Sequence, residues 1–185
     1  DGTLKEFGSN INIPYLNESS FVQFGVDDKI TNHKNDVNKE LNNEGIFATN
    51  STKFYNTIFT QSLRHDNYDL FNDKTTGKIG IKHYFTNDLS LATNYGTSYN
   101  VPTFYKLYDS YAGNNELEPE TTKSKDISLA YKGISLTYFY NDIDNMIEYN
   151  SNTYQYYNMS EEVTLKGYEL AYKKDLIEDT FIGIS

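Results

Sequence analysis

Apolar side chains in this chain recur at every second residue, over run after run, and almost nowhere at a helical period. Between residues 125 and 132, Ile127, Leu129 and Tyr131 fall on one side of an extended backbone and Asp126, Ser128 and Ala130 on the other. After Gly133 the same spacing groups Ile134, Leu136, Tyr138 and Tyr140. It recurs with Tyr168, Leu170 and Tyr172, and with Ile79, Ile81 and Phe85. Aromatic residues make up 16% of the sequence, as 18 Tyr and 11 Phe, and these are strand formers. The chain is all-β, with one apolar and one polar face per strand.

Alternation alone suits a soluble sandwich as well as a membrane barrel. Both bury one face of each strand, and 185 residues suffice for one soluble domain with a core. The connections separate the two. Short links near residues 14–19, 50–53, 86–88, 132–133 and 174–178 alternate with longer ones near 31–43, 67–75, 97–121 and 149–153. Tight turns on one side and long loops on the other are the pattern of an outer-membrane barrel. Runs of roughly 9–11 residues would cross a bilayer at a steep tilt. Residues 180–185 read as a strand that stops midway with no closing aromatic strand after it, and an open edge in lipid leaves backbone groups unpaired. The expectation is an incomplete barrel.

Composition narrows the function further. No apolar run approaches the roughly 18 residues of a membrane helix. The hydrophobic fraction of 37% is no argument against the membrane, because a barrel strand hides its apolar residues in alternate positions. A formal charge of −10 repels polyanions, so nucleic acid is excluded as a partner. With no Cys there is no disulfide scaffold, zinc-thiolate site or thiol catalysis. The chain opens on Asp1 without a charged-then-apolar leader, which reads as a leader removed or a stretch of a longer chain.

Four blocks from Leu89 onward carry a family resemblance. The first runs Leu89-Ser90-Leu91-Ala92-Thr93-Asn94-Tyr95-Gly96-Thr97-Ser98-Tyr99, then Val101-Pro102-Thr103 and Leu107-Tyr108. The second is Gly113-Asn114-Asn115-Glu116-Leu117-Glu118-Pro119-Glu120-Thr121. The third is the strand from Leu136 into Asn141-Asp142 and on to Ile147. The fourth is Tyr157-Asn158 followed by Gly167-Tyr168-Glu169. In this order and spacing they resemble the C-terminal half of TonB-dependent receptors; residues 1–88 match loosely, around Phe24-Gly25-Val26-Asp27 and Gly45-Ile46-Phe47-Ala48. The first and fourth blocks look most like the cobalamin receptors of that family.

The resemblance implies an antiparallel meander of about ten strands, part of a transmembrane β-barrel of about 22 strands in the bacterial cell outer membrane. Residues 1–185 would be a partial barrel domain, without the plug, the closing strands or the box that contacts the TonB complex. The implied ligand is cobalamin, with a ferric siderophore or haem as the alternative cargo. It implies neither a cofactor nor an enzyme. Motif residues Gly96, Pro102, Asn114, Leu117, Pro119, Glu120, Asn158, Gly167 and Glu169 read as structural. Pro119 suits a loop mouth where no ladder donor is needed, and Gly167 makes room for a neighbouring aromatic.

The 97–121 loop holds Tyr99, Phe104, Tyr105, Tyr108 and Tyr111, which offer flat aromatic surface to a large amphipathic ligand. The alternative role for them is a membrane girdle or the loop's own packing. His33, His65 and His83 are scattered and form no metal pattern, and Glu116, Glu118 and Glu120 alternate along a loop edge without a base or nucleophile. Two rival classes remain: a soluble carbohydrate-binding sandwich closed within these residues, and a barrel enzyme needing a Ser-His or Asp-His pair, which is not apparent in the sequence.

Overall fold

The computed structural model describes residues 2–33, 38–177 and 180–184. It forms one antiparallel sheet in which each strand pairs with its sequence neighbour, broken only by a small hairpin. The strands are β1 (Gly2–Tyr15), β2 (Asn17–His33), β3 (Lys39–Phe54), β4 (Thr57–Tyr68), β5 (Lys74–Tyr84) and β6 (Leu89–Asn100). A short helix α1 (Phe104–Tyr108) precedes β7 (Glu120–Tyr131) and β8 (Ile134–Asp144). The hairpin β9 (Ile147–Asn150) and β10 (Gln155–Asn158) follows, and the sheet resumes with β11 (Val163–Ile177) and β12 (Thr180–Ile184). Among the described residues β1 and β12 are each paired on one side only, so this ten-stranded sheet is open.

Register sorts the side chains into two unlike faces. On one, Leu91, Leu129, Leu136 and Leu170 stand in a row across β6, β7, β8 and β11. Rows of Leu89, Tyr131, Ile134 and Tyr172 and of Thr93, Ile127, Tyr138 and Tyr168 flank it. Among the described residues nothing covers this face: Leu129 is 48% exposed, Leu136 47% and Leu170 65%. The other face is polar, with Asp27, Arg64, Asp66, Lys78, Asn94 and Asp126 along β2 to β7. A soluble sandwich would bury the leucine row against a second sheet; here the hydrophobic residues buried among the described ones are Phe104, Leu107, Ala112, Leu117 and Ile147, all outside the main sheet. The sandwich alternative is thereby corrected.

Strands β5 and β8, at 11 residues, have the expected length, while the others from β1 to β7 are longer, from 12 residues in β4, β6 and β7 up to 17 in β2. At about 3.3 Å per residue each of β1 to β8 and β11 exceeds the ~25 Å apolar band of a barrel, and the surplus lies toward the long loops, where Lys123, Lys125 and Lys166 appear. The expected turn at 50–53 is instead the interior of β3, and the chain reverses at Tyr55, whose φ is 50°. The polar run looked like a turn, yet Asn50 donates to Gln61 Oε1 across the ladder at 2.6 Å and accepts from the Tyr15 hydroxyl at 2.6 Å. The 174–178 link also shifts, since β11 runs to Ile177 and the next two residues lie outside the described ones. Lys132 and Gly133, at φ 48° and 85°, make the two-residue turn whose twist suits a hairpin.

Gly167 on β11 stands opposite Phe139 on β8. A Cβ built there would sit 2.9 Å from Cζ of Phe139, whose ring lies on the glycine backbone of the neighbouring strand.

Candidate functional site

At the long-loop end three connections fold together. They are residues 69–73, 101–119 and 145–162. Thr103 caps α1 by accepting from the Lys106 N–H, just after buried Pro102. Leu107, Leu117 and Ile147 form a buried cluster against which Phe71, Tyr108 and Tyr156 pack. The connection expected at 149–153 is thus only the turn of β9–β10, inside a much longer loop that carries its own share of a core.

Polar motif residues clamp this assembly. Asn158 Oδ1 accepts from the Glu118 N–H at 2.8 Å, while its Nδ2 donates to the carbonyls of Glu118 and Asn145, both at 2.8 Å. Asn114 Nδ2 donates to the Tyr156 carbonyl at 2.9 Å, and the Tyr156 N–H donates to the Ala112 carbonyl. Glu120 accepts from the Ile147 N–H at 2.8 Å and from Asn100 Nδ2 at 2.7 Å. Pro119 follows Glu118, where no amide donor is required. Gly96 lies opposite Lys78, and Glu169 opposite Thr137, within the sheet.

Asn158→Ala removes three bonds at once and leaves the Glu118 and Asn145 carbonyls short of a donor. Its expected effect is local: amide exchange in 112–118 and 147–158 accelerates about tenfold or more, at roughly 1 kcal/mol per lost bond, while exchange in β5–β8 is unchanged. Equal acceleration in the strands would show that the clamp is not confined to the loops.

The five aromatic residues singled out in sequence divide. Phe104 is buried, with His33 and Tyr108 rings beside it, and Tyr108 lies against the loop core under Lys39 Nζ. Tyr99 packs on Tyr68, and its hydroxyl donates to the Asn72 carbonyl at 3.2 Å. Tyr105 and Tyr111 stay exposed, at 56% and 70%. They meet partners that sequence reasoning missed: Tyr105 stands edge-on to Tyr156, Tyr111 contacts Tyr154, and Tyr149 packs on Tyr156. Desolvation first, and then Tyr111 and the tyrosines around it, push the Tyr149 phenol above its ordinary pKa. The density of tyrosine at Tyr149, Tyr154, Tyr156 and Tyr157 was the available signal. The result is an exposed tyrosine patch shared by the α1 loop and the hairpin.

A model of the family described as TonB dependent receptor-like, beta-barrel matches residues 4–181. The chain is 31% identical over 134 residues, 70% of its length, to the vitamin B12 transporter BtuB of Vibrio cholerae serotype O1, and 24% identical over 153 residues to that of Vibrio vulnificus. It spans about a fifth of those relatives, 22% and 24%. Among solved structures, the siderophore receptor PirA from Pseudomonas aeruginosa superposes on 98% of this chain with a TM-score of 0.75 at 19% identity, over 39% of its own length. The copper transporter OprC superposes on 95% with a TM-score of 0.74 at 16% identity, over 35% of its own length. At such identities these structures establish the fold, an antiparallel run of a receptor barrel. Matched by the family model over nearly its whole length and folded as such barrels are, the chain belongs to the TonB-dependent receptor β-barrel family.

Proposed function

We propose that this chain is part of an outer-membrane transporter that takes up cobalamin, and that it is not an enzyme. The observation that carries the cargo is the 24–31% identity to vitamin B12 transporters, above the 15–20% to solved siderophore and copper proteins. Residues 1–185 then form one stretch of barrel domain, with plug, remaining strands and contact with the TonB complex belonging to the rest of a longer receptor. The leucine face meets lipid, and the polar face lines a plugged lumen. Tyr105 and Tyr111 with Tyr149, Tyr154 and Tyr156 offer a large amphipathic ligand flat surface at the outer mouth, with Tyr99, Phe104 and Tyr108 supporting them from within. A ferric siderophore is the second reading, because the fold is shared with receptors named for that cargo.

The test is a titration of the complete receptor in detergent with cyanocobalamin and, separately, ferric enterobactin. Tight cobalamin binding is expected, lost on deleting 97–121 and weakened about tenfold in the Tyr105→Ala, Tyr111→Ala double variant, at ~0.5–1.5 kcal/mol per aromatic contact. Binding of the siderophore alone would remove cobalamin and keep the receptor.

A further inference from the structure

The apolar face of the sheet is not apolar throughout. On β3 and β4 it carries two amides, Asn50 paired with Gln61. Gln61 pairs with Ile79, Ile79 with Tyr95 and Tyr95 with Lys125, which puts the amides on the side of Ile127 and Leu129. Apolar groups surround Gln61: Phe59 and Leu63 flank it along β4, and Ile79 lies across from it, with Leu63 and Ile79 60% and 59% exposed. The same ladder row reaches Lys125 and Lys166 at its far end. Strands cross a bilayer at a tilt, so a row perpendicular to them climbs from the apolar band to its rim.

The amide cluster is hydrogen-bonded, with one group left over. The Tyr15 hydroxyl donates to Asn50 Oδ1 at 2.6 Å, and Asn50 Nδ2 donates to Gln61 Oε1 at 2.6 Å and to Thr52 Oγ1 at 3.1 Å. Gln61 Nε2 has no partner among the described residues, and Gln61 Oε1 accepts only the one bond there, so a lone pair remains. Acyl chains supply no acceptor, and an unpaired amide donor in lipid is costly. A primary amide with a donor and an acceptor both unused is its own complement. Two of them across a twofold axis exchange a pair of N–H···O bonds.

The surface around Gln61 is ridged in a way that suits such an axis. A hollow of about 520 Å³ opens over Ala48 and Gly77, walled by Leu63, Ile79 and Tyr95. Phe24, 50% exposed, stands on the β2 side of Gln61, and Gly77 lies on the β5 side. A twofold axis along the membrane normal at Gln61 sets the Phe24 side of one copy against the Gly77 side of the other, projection to hollow.

The geometry points to the outer face of β2 to β5 as a contact with a second copy of this chain within the membrane, centred on reciprocal Gln61 amides. The inference rests on that face lying in lipid and is independent of the cargo.

The test uses the complete receptor in phospholipid vesicles, carrying Leu63→Cys beside the amide or Leu136→Cys farther along the same face, with the receptor lacking both as the blank. Copper phenanthroline oxidises thiols that meet to a disulfide, and the fraction of crosslinked dimer is measured. Leu63→Cys is expected to give about tenfold more dimer than Leu136→Cys, and added Gln61→Leu or Ala48→Trp to bring it down to the Leu136→Cys level. Equal crosslinking at the two positions, or a Leu63→Cys dimer that survives Gln61→Leu, overturns the contact. So does oxidation in whole outer membranes that joins Leu63→Cys to a different protein and not to itself. Phe59→Cys gives the same readout if Leu63→Cys does not assemble. Prior treatment with a charged, water-confined thiol reagent separates two failures. Cysteines that it labels freely are not in lipid, and the membrane reading of this face falls with the contact; shielded cysteines that do not crosslink remove the second copy and leave the receptor reading in place.

Discussion

Leu136→Arg is expected to destabilise the receptor in phospholipid vesicles by about 2–4 kcal/mol, the cost of a guanidinium near the middle of a barrel's lipid face. Leu136 occupies the central row, with Leu129 and Leu170 directly across on the two neighbouring strands and tyrosine-bearing rows on either side. An arginine there reaches interfacial water only by stretching past those rows. Thr137→Arg, the next residue along, points the other way and faces Glu169. It loses one hydroxyl bond to Ser128 of 2.9 Å, about 1 kcal/mol, and gains an acidic neighbour. Denaturant unfolding of both variants measures the difference. Equal costs would mean that the leucine face is covered by protein, and would sink the assignment of that face to lipid.

Arg64→Ala is the second large effect, expected at about 2–3 kcal/mol in the same measurement. The guanidinium binds Asp27 through Nη1 and Nη2 and Asp66 through Nε and Nη2, with every distance between 2.6 and 3.0 Å. Asp66 is buried and also accepts from Asn43 at 3.1 Å. Truncation leaves two carboxylates facing each other without a cation. A fully buried pair broken in this way costs 3–5 kcal/mol or so, and the value here is set lower because Arg64 and Asp27 are 33% and 21% exposed. Arg64→Lys recovers little, since one ammonium cannot reproduce a fork that serves two carboxylates. Asp27→Asn combined with Arg64→Ala should cost less than the sum of the single changes, because the charge that Arg64→Ala strands is gone. Gly45 completes the arrangement: a Cβ there would lie 2.7 Å from Cζ of Arg64 and 2.8 Å from Oδ1 of Asp27.

The strands were legible because a period of two leaves little freedom. Once Ile127, Leu129 and Tyr131 share a face, Leu136 and Tyr138 must join them across a two-residue turn. What failed at 50–53 was turn chemistry. Asn, Ser and Thr read as a reversal, but Tyr15 and Gln61 satisfy Asn50 along the ladder, and a cross-strand partner 35 residues away leaves no local trace. The motif residues were legible as a set and opaque as a device: nothing in the spacing of Asn114, Glu118 and Asn158 says that one asparagine bonds a backbone 40 residues away. The candidate binding residues were half legible. Aromatic density marked the 97–121 loop, but whether a ring faces inward or outward depends on Leu107, Leu117 and Ile147 meeting, a tertiary event between two loops.

That meeting makes the three loops one heritable module. Leu107 and Leu117 come from one connection, Ile147 from another, and Phe71 from a third, so none of them keeps a dry interior when the others are replaced. Recombination or grafting between receptors should therefore succeed when 69–73, 101–119 and 145–162 travel as a cassette, and fail when a single loop is exchanged. The strands beneath, which hold their register through backbone pairing, can accept a foreign cassette without being rebuilt.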